Sequence, residues 1–229
     1  MQIEIDRRQL LLAGLAGAAL TLPGCQSLPG FSLTEAIRRL LTLSSQNAFA
    51  LLLQPNGFYD SQVARIALPD RLGGGAGSGI LSAVLQSGAF RDKLQRQLNR
   101  AAEKGAERAA PLVAEAVRNV SIEDAASIVR GGPQAASTFL RGKMGSAVLD
   151  AMLPGISEGL RLFDDATISR AVQSVSGFDI GALANDITQK ADNAVWAAIG
   201  AEEANIRANP RSTNDPVLIG VFGLGSALK

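Results

Sequence analysis

"RDKLQRQLNRAAEKGAERAAPLVAEAVRNV", residues 91–120, is the stretch that decides the fold. Alanine, leucine, glutamine, glutamate and arginine dominate it, and all of them favour the α-helix. Its many alanines allow another helix to approach closely, because the side chains at a contact set the distance between helix axes. Gly105 and Pro111 are expected to bend or divide the helix. The stretch therefore predicts an all-α protein built on one long segment.

The residues before this stretch predict another helix and a short extended segment. "SLTEAIRRLLTLSSQNAFALLLQ", residues 32–54, carries apolar side chains at three- and four-residue intervals, which is the helical period. Ser32 and Glu35 have the spacing of a capping box. Val63 to Pro69 alternates apolar and polar residues, which is typical of an extended chain.

The residues after the stretch predict helices to the end of the chain. "SIEDAASIVRG" is predicted to be a compact helix with Ser121 as its cap, Asp124 in its first turn and Gly131 at its end. Pro154 is expected to separate the next two helices.

A long final helix is predicted between Asp179, its cap, and Pro210, beyond its end. A flexible glycine-rich loop is predicted at residues 73–79 and a short helix at residues 80–86. The predicted fold class is all-α, a multi-helix bundle with a short extended segment near residues 63–69. We expect residues 33–222 to form a single helical domain and residues 223–229 a C-terminal tail, with the apolar C-terminal residues packing back on the body.

The first residues have the layout of an export signal. Arg7 and Arg8 precede an apolar run from Leu10 to Leu22, which is shorter than the roughly 20 residues of a membrane-spanning helix. The paired arginines resemble a twin-arginine signal. Leu22-Pro23-Gly24-Cys25 resembles a bacterial lipobox, in which the cysteine is acylated after cleavage. Residues 1–24 are then a lipoprotein signal and residues 25–32 a tether; a cleaved signal without lipid and an ordinary helix with a buried cysteine are the alternatives.

The composition excludes several classes of protein. Histidine is absent and Cys25 is the only cysteine, which removes Ser-His-Asp and Cys-His mechanisms and the usual ligands of transition metals. We therefore expect no metal, no cofactor and no catalytic residue. A net charge of +1 and 4% aromatic residues argue against a nucleic-acid protein. Residues 155–159 match G-x-S-x-G, but that motif requires a preceding strand and a histidine base, so the match is interpreted as chance.

The chain resembles the bacterial family catalogued as domain of unknown function 4197. The resemblance rests on "VARIALPDRL", "NRAAEKGAERAAPLVAEAV", "SIEDAASIVRGGPQAASTFLR" and "AEEANIRANP", and it covers roughly Leu33 to Phe222. It implies an exported, often lipidated, helical protein and no particular activity.

Polar residues within these four segments are the candidate site. Asn99 and Glu103 lie four residues apart on one helix face, and so do Glu203 and Arg207. The set is either a structural network of ion pairs and hydrogen bonds or the lining of a ligand site. Its members are Asn99, Arg100, Glu103, Glu123, Asp124, Arg141, Glu203 and Arg207.

These observations predict a lipid-anchored, periplasm-facing envelope protein at the inner leaflet of the outer membrane. The expected membrane contact is through acyl chains, such as palmitate, on Cys25, and no nucleic acid is expected as a partner. The predicted role is a non-catalytic binding or scaffold module for an envelope protein or an apolar, lipid-like ligand. A ligand requires an apolar cavity, whereas a partner protein requires an exposed apolar patch. The alternative is a carboxylate-dependent hydrolase or lyase that acts on an envelope component.

Apolar residues in the second half of the chain could line such a cavity or form an ordinary core. They are Met144, Leu149, Met152, Leu153, Leu160 and Phe163.

Overall fold

The structure, a computed structural model, describes residues 32–68, 87–161 and 180–226. Within these ranges the regular structure is helical and contains no strand, which confirms the all-α prediction. The described residues from Leu33 onward belong to one compact unit. Eight α-helices and one 3₁₀ turn (Pro210–Thr213) occur in the described ranges: α1 Leu33–Leu52, α2 Gly57–Asp60, α3 Gly88–Asn119, α4 Ala125–Arg130, α5 Ala135–Met144, α6 Ala147–Leu160, α7 Ile180–Ala208 and α8 Pro216–Ser226.

The core lies where α1, α3, α6 and α7 meet. Each helix contributes apolar side chains that are fully buried, such as Leu40, Leu98, Ile156 and Ile199. The apolar side chains of α1 recur at helical spacing, so one stripe of that helix faces the core, as its sequence predicts.

The most extensive helix pair described is α3 with α6, and glycines allow it. A Cβ atom on Gly155 would lie 2.4 Å from the Lys104 carbonyl oxygen, and one on Gly159 would lie 2.7 Å from the Ala101 Cα. On the opposite helix, a Cβ on Gly105 would lie 2.8 Å from the Ile156 side chain. The two backbones are therefore in direct contact, which no larger residue at these positions would permit.

The predicted separation at Pro154 is wrong, and of the bend or division predicted near Gly105 and Pro111 the division does not occur. α3 is one continuous helix with Pro111 inside it, and α6 likewise runs through Pro154. Burial explains both, because apolar residues on either side of each proline, such as Ala109 and Val113 in α3, keep the helix packed on the core. The break between α5 and α6 is instead at Gly145, whose φ of 56° favours glycine.

The predicted cap of α4 is also wrong. The helix begins at Ala125, and Asp124 is its N-cap, with the carboxylate accepting a hydrogen bond from the Ser127 N–H at 2.9 Å. Ser121 lies outside the helix. Gly131 ends α4 as predicted, and a Cβ there would lie 2.6 Å from the Ala135 Cβ, so the turn into α5 is tight.

The segment predicted to be extended forms no strand, although its side chains alternate as predicted. Ala64 and Ile66 are buried, whereas Val63 and Arg65 are exposed. The segment packs on α3 through Asn99 rather than through another strand.

The C-terminal residues pack on the body as predicted. α8 buries Val217, Leu218 and Phe222. Asp215 precedes the helix, accepts hydrogen bonds from the N–H groups of Val217 and Leu218, and forms an ion pair with Arg39 of α1 at 3.0 Å. This pair ties the end of the chain to its first helix.

Several predictions fall outside the described residues. They are the export signal with Arg7 and Arg8, the lipid attachment at Cys25, most of the tether, the loop at residues 73–79, the helix at residues 80–86, Phe163, the cap at Asp179 and residues 227–229. A search of the described helices finds none that is long and apolar enough to cross a bilayer.

Candidate functional site

The buried carboxylate of Glu203 caps a neighbouring helix. Glu203 belongs to α7 and has no solvent exposure. One oxygen accepts a hydrogen bond from the Ala136 N–H at 2.9 Å, and the other accepts one from the Ser137 N–H at 2.7 Å. Both N–H groups lie in the first turn of α5, where no acceptor exists within the helix, and Gln134 at the N-cap position supplies none from its side chain. Glu203 therefore satisfies the N-terminus of α5 and complements its dipole.

Arg207, four residues after Glu203 on α7, caps the C-terminus of α4, the helix that precedes α5. Its Nε donates to Glu203 at 2.8 Å, which confirms that the two side chains share one helix face. Its terminal nitrogens donate to the carbonyl oxygens of Val129 and Ile128, each at 3.0 Å, at the C-terminus of α4. The guanidinium also lies 4.8 Å from the Phe222 ring centroid. The Glu203–Arg207 pair thus holds both ends of the α4–α5 turn.

Arg141 joins the last turn of α5 to α7. It donates to Asp192 at 2.8 Å and to the Asn193 side chain at 2.5 Å. Asp192 also accepts a hydrogen bond from the Trp196 indole at 3.1 Å. Burial raises the pKa of Asp192, and the Arg141 charge and the Trp196 hydrogen bond offset only part of that rise. Sequence reasoning missed Asp192 and Trp196, although their four-residue spacing on α7 was a usable signal.

An open groove lies over the turn that these residues hold. It has a volume of about 850 Å³ and faces solvent. We call it the corner groove; its lining is mostly apolar, with Lys143 as its one charged residue. The residues that form it are Ser127, Ile128, Gly131, Gly132, Pro133, Gln134, Ala135, Thr138, Phe139, Gly142 and Lys143.

Asn99 forms a second polar contact, on α3. It is fully buried; its side-chain oxygen accepts a hydrogen bond from the Ile66 N–H at 2.9 Å and its side-chain nitrogen donates to the Ile66 carbonyl at 3.0 Å. The same nitrogen donates to the Gln95 carbonyl at 2.7 Å. Asn99 therefore pairs with Ile66 as a neighbouring strand would, and its role is structural.

Glu103 is the one residue of the set with an unpaired buried atom. Its Oε1 is buried without a hydrogen-bond partner. Burial raises the pKa of Glu103, and the Phe58 backbone N–H and the Arg100 charge oppose that rise. Arg100 itself is exposed.

The eight candidate residues do not converge on one centre. Glu203 and Arg207 hold the α4–α5 turn, Arg141 joins α5 to α7, Asn99 holds the extended segment, and Asp124 caps α4. Glu123 is exposed before α4. In the described part of the chain, no cluster of three or more carboxylates or other metal ligands occurs.

The G-x-S-x-G match is not a nucleophile elbow. Its residues lie inside α6, and both glycines face the backbone of α3. Ser157 is therefore on a regular helix rather than on a strand-to-helix turn. The signal overlooked in the sequence was the four-residue spacing of two glycines, which places both on one helix face.

A contact between α1 and α3 was not predicted either. The Arg38 guanidinium donates to the carbonyl oxygens of Val117 at 2.8 Å and Val120 at 3.4 Å, and also to that of Arg118. These carbonyls lie at the C-terminus of α3, where the helix dipole favours a cation. The start of α1 is therefore fixed beside the end of α3.

A smaller apolar groove of about 440 Å³ separates α1 from α3. Pro111 and Phe49 contribute to it, and Leu51 on α1 is 55% exposed. The complete lining is Ser45, Gln46, Phe49, Ala50, Leu53, Ala110, Pro111 and Ala114.

The chain belongs to the family described as "Protein of unknown function (DUF4197)", which matches residues 27–223 and confirms the resemblance predicted from the sequence. No curated protein and no solved structure matches the chain.

Proposed function

We propose that this protein is a lipid-anchored, periplasm-facing envelope protein whose helical domain binds a partner protein in the corner groove and carries out no catalysis. The anchor is Cys25, acylated after removal of residues 1–24. The groove receives a segment of the partner.

The observation that carries the binding role is the way the corner groove is held. Arg207 binds the Ile128 carbonyl, and Ile128 itself lines the groove. Glu203 binds the start of α5, whose outer face forms the opposite wall. A groove held at both walls is already in its binding conformation, so little ordering free energy is lost when a partner docks. Phe139 gives it apolar area and Lys143 a positive charge.

The shape of the groove favours a protein over an enclosed apolar ligand. A small apolar ligand usually sits in a cleft that buries most of its surface, whereas the corner groove is open. Met152 and Leu160, two of the residues proposed to line a cavity, have 0% and 3% exposure within the packed core, and Met144 and Leu153 pack against it.

The anchor is supported by the sequence alone. Cys25 is the only cysteine, and it follows a short apolar run preceded by paired arginines. Two inserted acyl chains give stable attachment, since each buried methylene contributes about 0.8 kcal/mol. Gln26 after the cysteine is typical of an outer-membrane sorting signal.

The hydrolase or lyase alternative has less support. Such chemistry requires two carboxylates that face one cleft with separated pKa values. Both oxygens of Glu203 already accept hydrogen bonds, and Glu123 is exposed. Glu103, whose pKa is raised, has Glu107 and Asp60 as its neighbouring carboxylates, and both of these side chains are exposed.

Photo-cross-linking tests the groove. A photoreactive amino acid replaces Thr138, which lines the groove, in the full-length protein in intact cells; the matched position is Glu115, exposed on α3. We expect a discrete protein adduct from position 138 that is absent from position 115 and is abolished by Gly142→Trp, which fills the groove. Equal adducts from both positions, or an adduct that survives Gly142→Trp, would overturn the proposed binding site.

Mass spectrometry tests the anchor. Protein purified from membranes should begin at Cys25 and carry the mass of acyl chains on that residue. Co-purified lipid in stoichiometric amount would favour a lipid ligand over a protein partner. A protein that begins upstream, or an unmodified cysteine, would contradict lipid attachment.

A further inference from the structure

The side chain of Tyr59 lies between two arginines. The guanidinium carbons of Arg65 and Arg96 lie 4.3 and 4.1 Å from the centre of its ring. Both guanidinium groups therefore lie against the Tyr59 ring. The Tyr59 hydroxyl donates to Asp92, which also accepts from Arg96 Nε at 2.9 Å. Tyr59 is the only tyrosine in the chain.

This arrangement fixes two cations that are normally mobile. Arg65 is held further because its Nε donates to the Tyr59 carbonyl. Each guanidinium uses Nε for a hydrogen bond to the protein, and among the described residues its two terminal nitrogens make no hydrogen bond. Exposed arginines usually lose side-chain entropy when they bind an anion, and the Tyr59 ring has already removed part of that loss.

More positive charge lies beside them. Lys93, Arg96 and Arg100 follow at three- and four-residue intervals on α3, so they share one helix face, and Lys93 and Arg100 are exposed. Residues 57–68 and 88–100 together contain five basic and two acidic residues, and the acidic Glu103 lies near Arg100. The whole chain has a net charge of only +1. Residues 69–86, which connect the two segments, add one acid and one base.

We propose that the basic patch formed by Arg65, Lys93, Arg96 and Arg100 docks on the anionic headgroups of a lipid bilayer. Clustered lysines and arginines are attracted to a negatively charged bilayer surface within a Debye length. Arginine pairs with phosphate through two parallel hydrogen bonds, which suits the terminal nitrogens that remain available here. Val63 is exposed and lies two residues before Arg65 in the alternating segment, so it adds apolar area beside the patch.

The patch and the start of α1 lie towards opposite ends of α3. Arg38, near the start of α1, binds the C-terminal carbonyls of α3, whereas the patch lies on its N-terminal half. From residue 96 to residue 118 the helix rises about 33 Å. A contact at the patch, in addition to a tether before α1, would lay the long axis of α3 along the bilayer and fix which face of the domain is turned towards the periplasm. This orientation rests on the proposed lipid anchor; the binding of the patch to headgroups does not.

Vesicle binding tests the proposal without the acyl chains. The mature chain, residues 25–229 with Cys25→Ser, is sedimented with phosphatidylcholine vesicles, with and without phosphatidylglycerol, at low and high salt. The patch variant is Lys93→Glu with Arg100→Glu. Its matched control, Arg130→Glu with Arg211→Glu, changes the net charge equally at exposed positions elsewhere.

We expect binding only to vesicles that contain phosphatidylglycerol, weaker binding at high salt, and a loss of about tenfold or more in the patch variant. The control should bind within about twofold of the parent. Tyr59→Leu, which removes the ring, should weaken binding more than Tyr59→Phe, which keeps it. No binding to anionic vesicles, equal binding to neutral ones, or equal losses in patch and control variants would each overturn the proposal. Acylation of Cys25, measured separately by mass, would leave the proposed anchor standing in those cases.

Discussion

The α3–α6 interface and the α4–α5 corner are held by opposite means. At the first, Gly155 and Gly159 place one backbone directly on another, and the ion pair described across it, between Arg108 and Glu158 at 2.9 Å, lies at the exposed edge with side chains 51% and 65% exposed. At the second, a buried carboxylate and a nearly buried guanidinium, 0% and 10% exposed, bind four backbone groups at two helix ends. The first fixes the distance between helices, and the second fixes where short helices begin and end.

The difference explains where polar residues are needed. Long helices such as α3 satisfy most of their backbone groups internally, so polar side chains such as Arg38 are needed only at their ends. α4 and α5 are 6 and 10 residues long, and a large fraction of their N–H and carbonyl groups lie in terminal turns. Side chains from α7 supply partners for those groups, which keeps the corner groove in shape.

The largest effect is expected from Glu203→Ala. The substitution leaves Arg207 without its carboxylate and leaves the N–H groups of Ala136 and Ser137 without an acceptor. The free energy of unfolding should fall by about 3–5 kcal/mol, measured by urea denaturation. Glu202→Ala removes the same charge from the adjacent, less buried position and should cost less than about 1 kcal/mol. Equal losses in the two variants would mean that the buried pair does not hold the corner.

Gly155→Ala tests the other region. The added Cβ would lie 2.4 Å from the Lys104 carbonyl oxygen, so the helices must move apart. Unfolding experiments should show a loss of about 1–3 kcal/mol. Gly142→Ala is the control, because a Cβ there meets nothing within 4 Å and the residue lies within α5. It should stabilise the protein by about 0.5–1 kcal/mol; a gain in both variants would contradict direct backbone contact at Gly155.

Asn99→Ala combines features of the two regions, because it removes polar contacts like those of the α4–α5 corner from a long helix, α3. The Ile66 N–H and carbonyl lose their partner while remaining buried. We expect a loss of about 1–3 kcal/mol, with amide exchange at Ile66 accelerated more than exchange within α3. An unchanged exchange rate at Ile66 would show that the extended segment is held by other contacts.

The smallest effect concerns pH. Burial raises the pKa of Glu103, so the folded state favours its protonated form. Its contribution to stability is therefore full below the ordinary carboxyl pKa and is lost as the pH rises through the raised folded value. Relative to Glu103→Gln, the wild type should gain stability as the pH falls from neutral into the carboxyl range, as measured by the shift of urea midpoints. A difference in stability that stays constant at all pH values would contradict the raised pKa of Glu103. It would also argue against a buried Oε1 without a hydrogen-bond partner.

The sequence predicts that both regions are helical, but it misplaces the start of α4, divides α6 at Pro154, and predicts the connections between helices less well. The four-residue spacing of Glu203 and Arg207 predicts their pairing. Their backbone partners lie more than 60 residues earlier in the chain, and no local sequence feature indicates that Ala136 or Val129 forms a hydrogen bond with α7. Pro111 and Pro154 were misjudged because their local helix-breaking tendency is outweighed by burial on both sides, which is a tertiary effect. Gly155 and Gly159 match a catalytic motif by chance. Their four-residue spacing instead indicates that both lie on one helix face, where a second helix can pack closely. The rim of the corner groove is formed by residues from a loop and two helices that only the folded chain brings together.

Hydrogen exchange at the start of α5 tests the central claim most directly. If Glu203 holds the corner, the amides of Ala136 and Ser137 should be strongly protected in the wild-type protein, although first-turn amides of a helix ordinarily exchange fast. In Glu203→Ala both should lose protection by far more than the amides in the middle of α3. Fast exchange at these two amides in the wild type, or protection that survives the substitution, would contradict the claim that this buried pair shapes the corner groove.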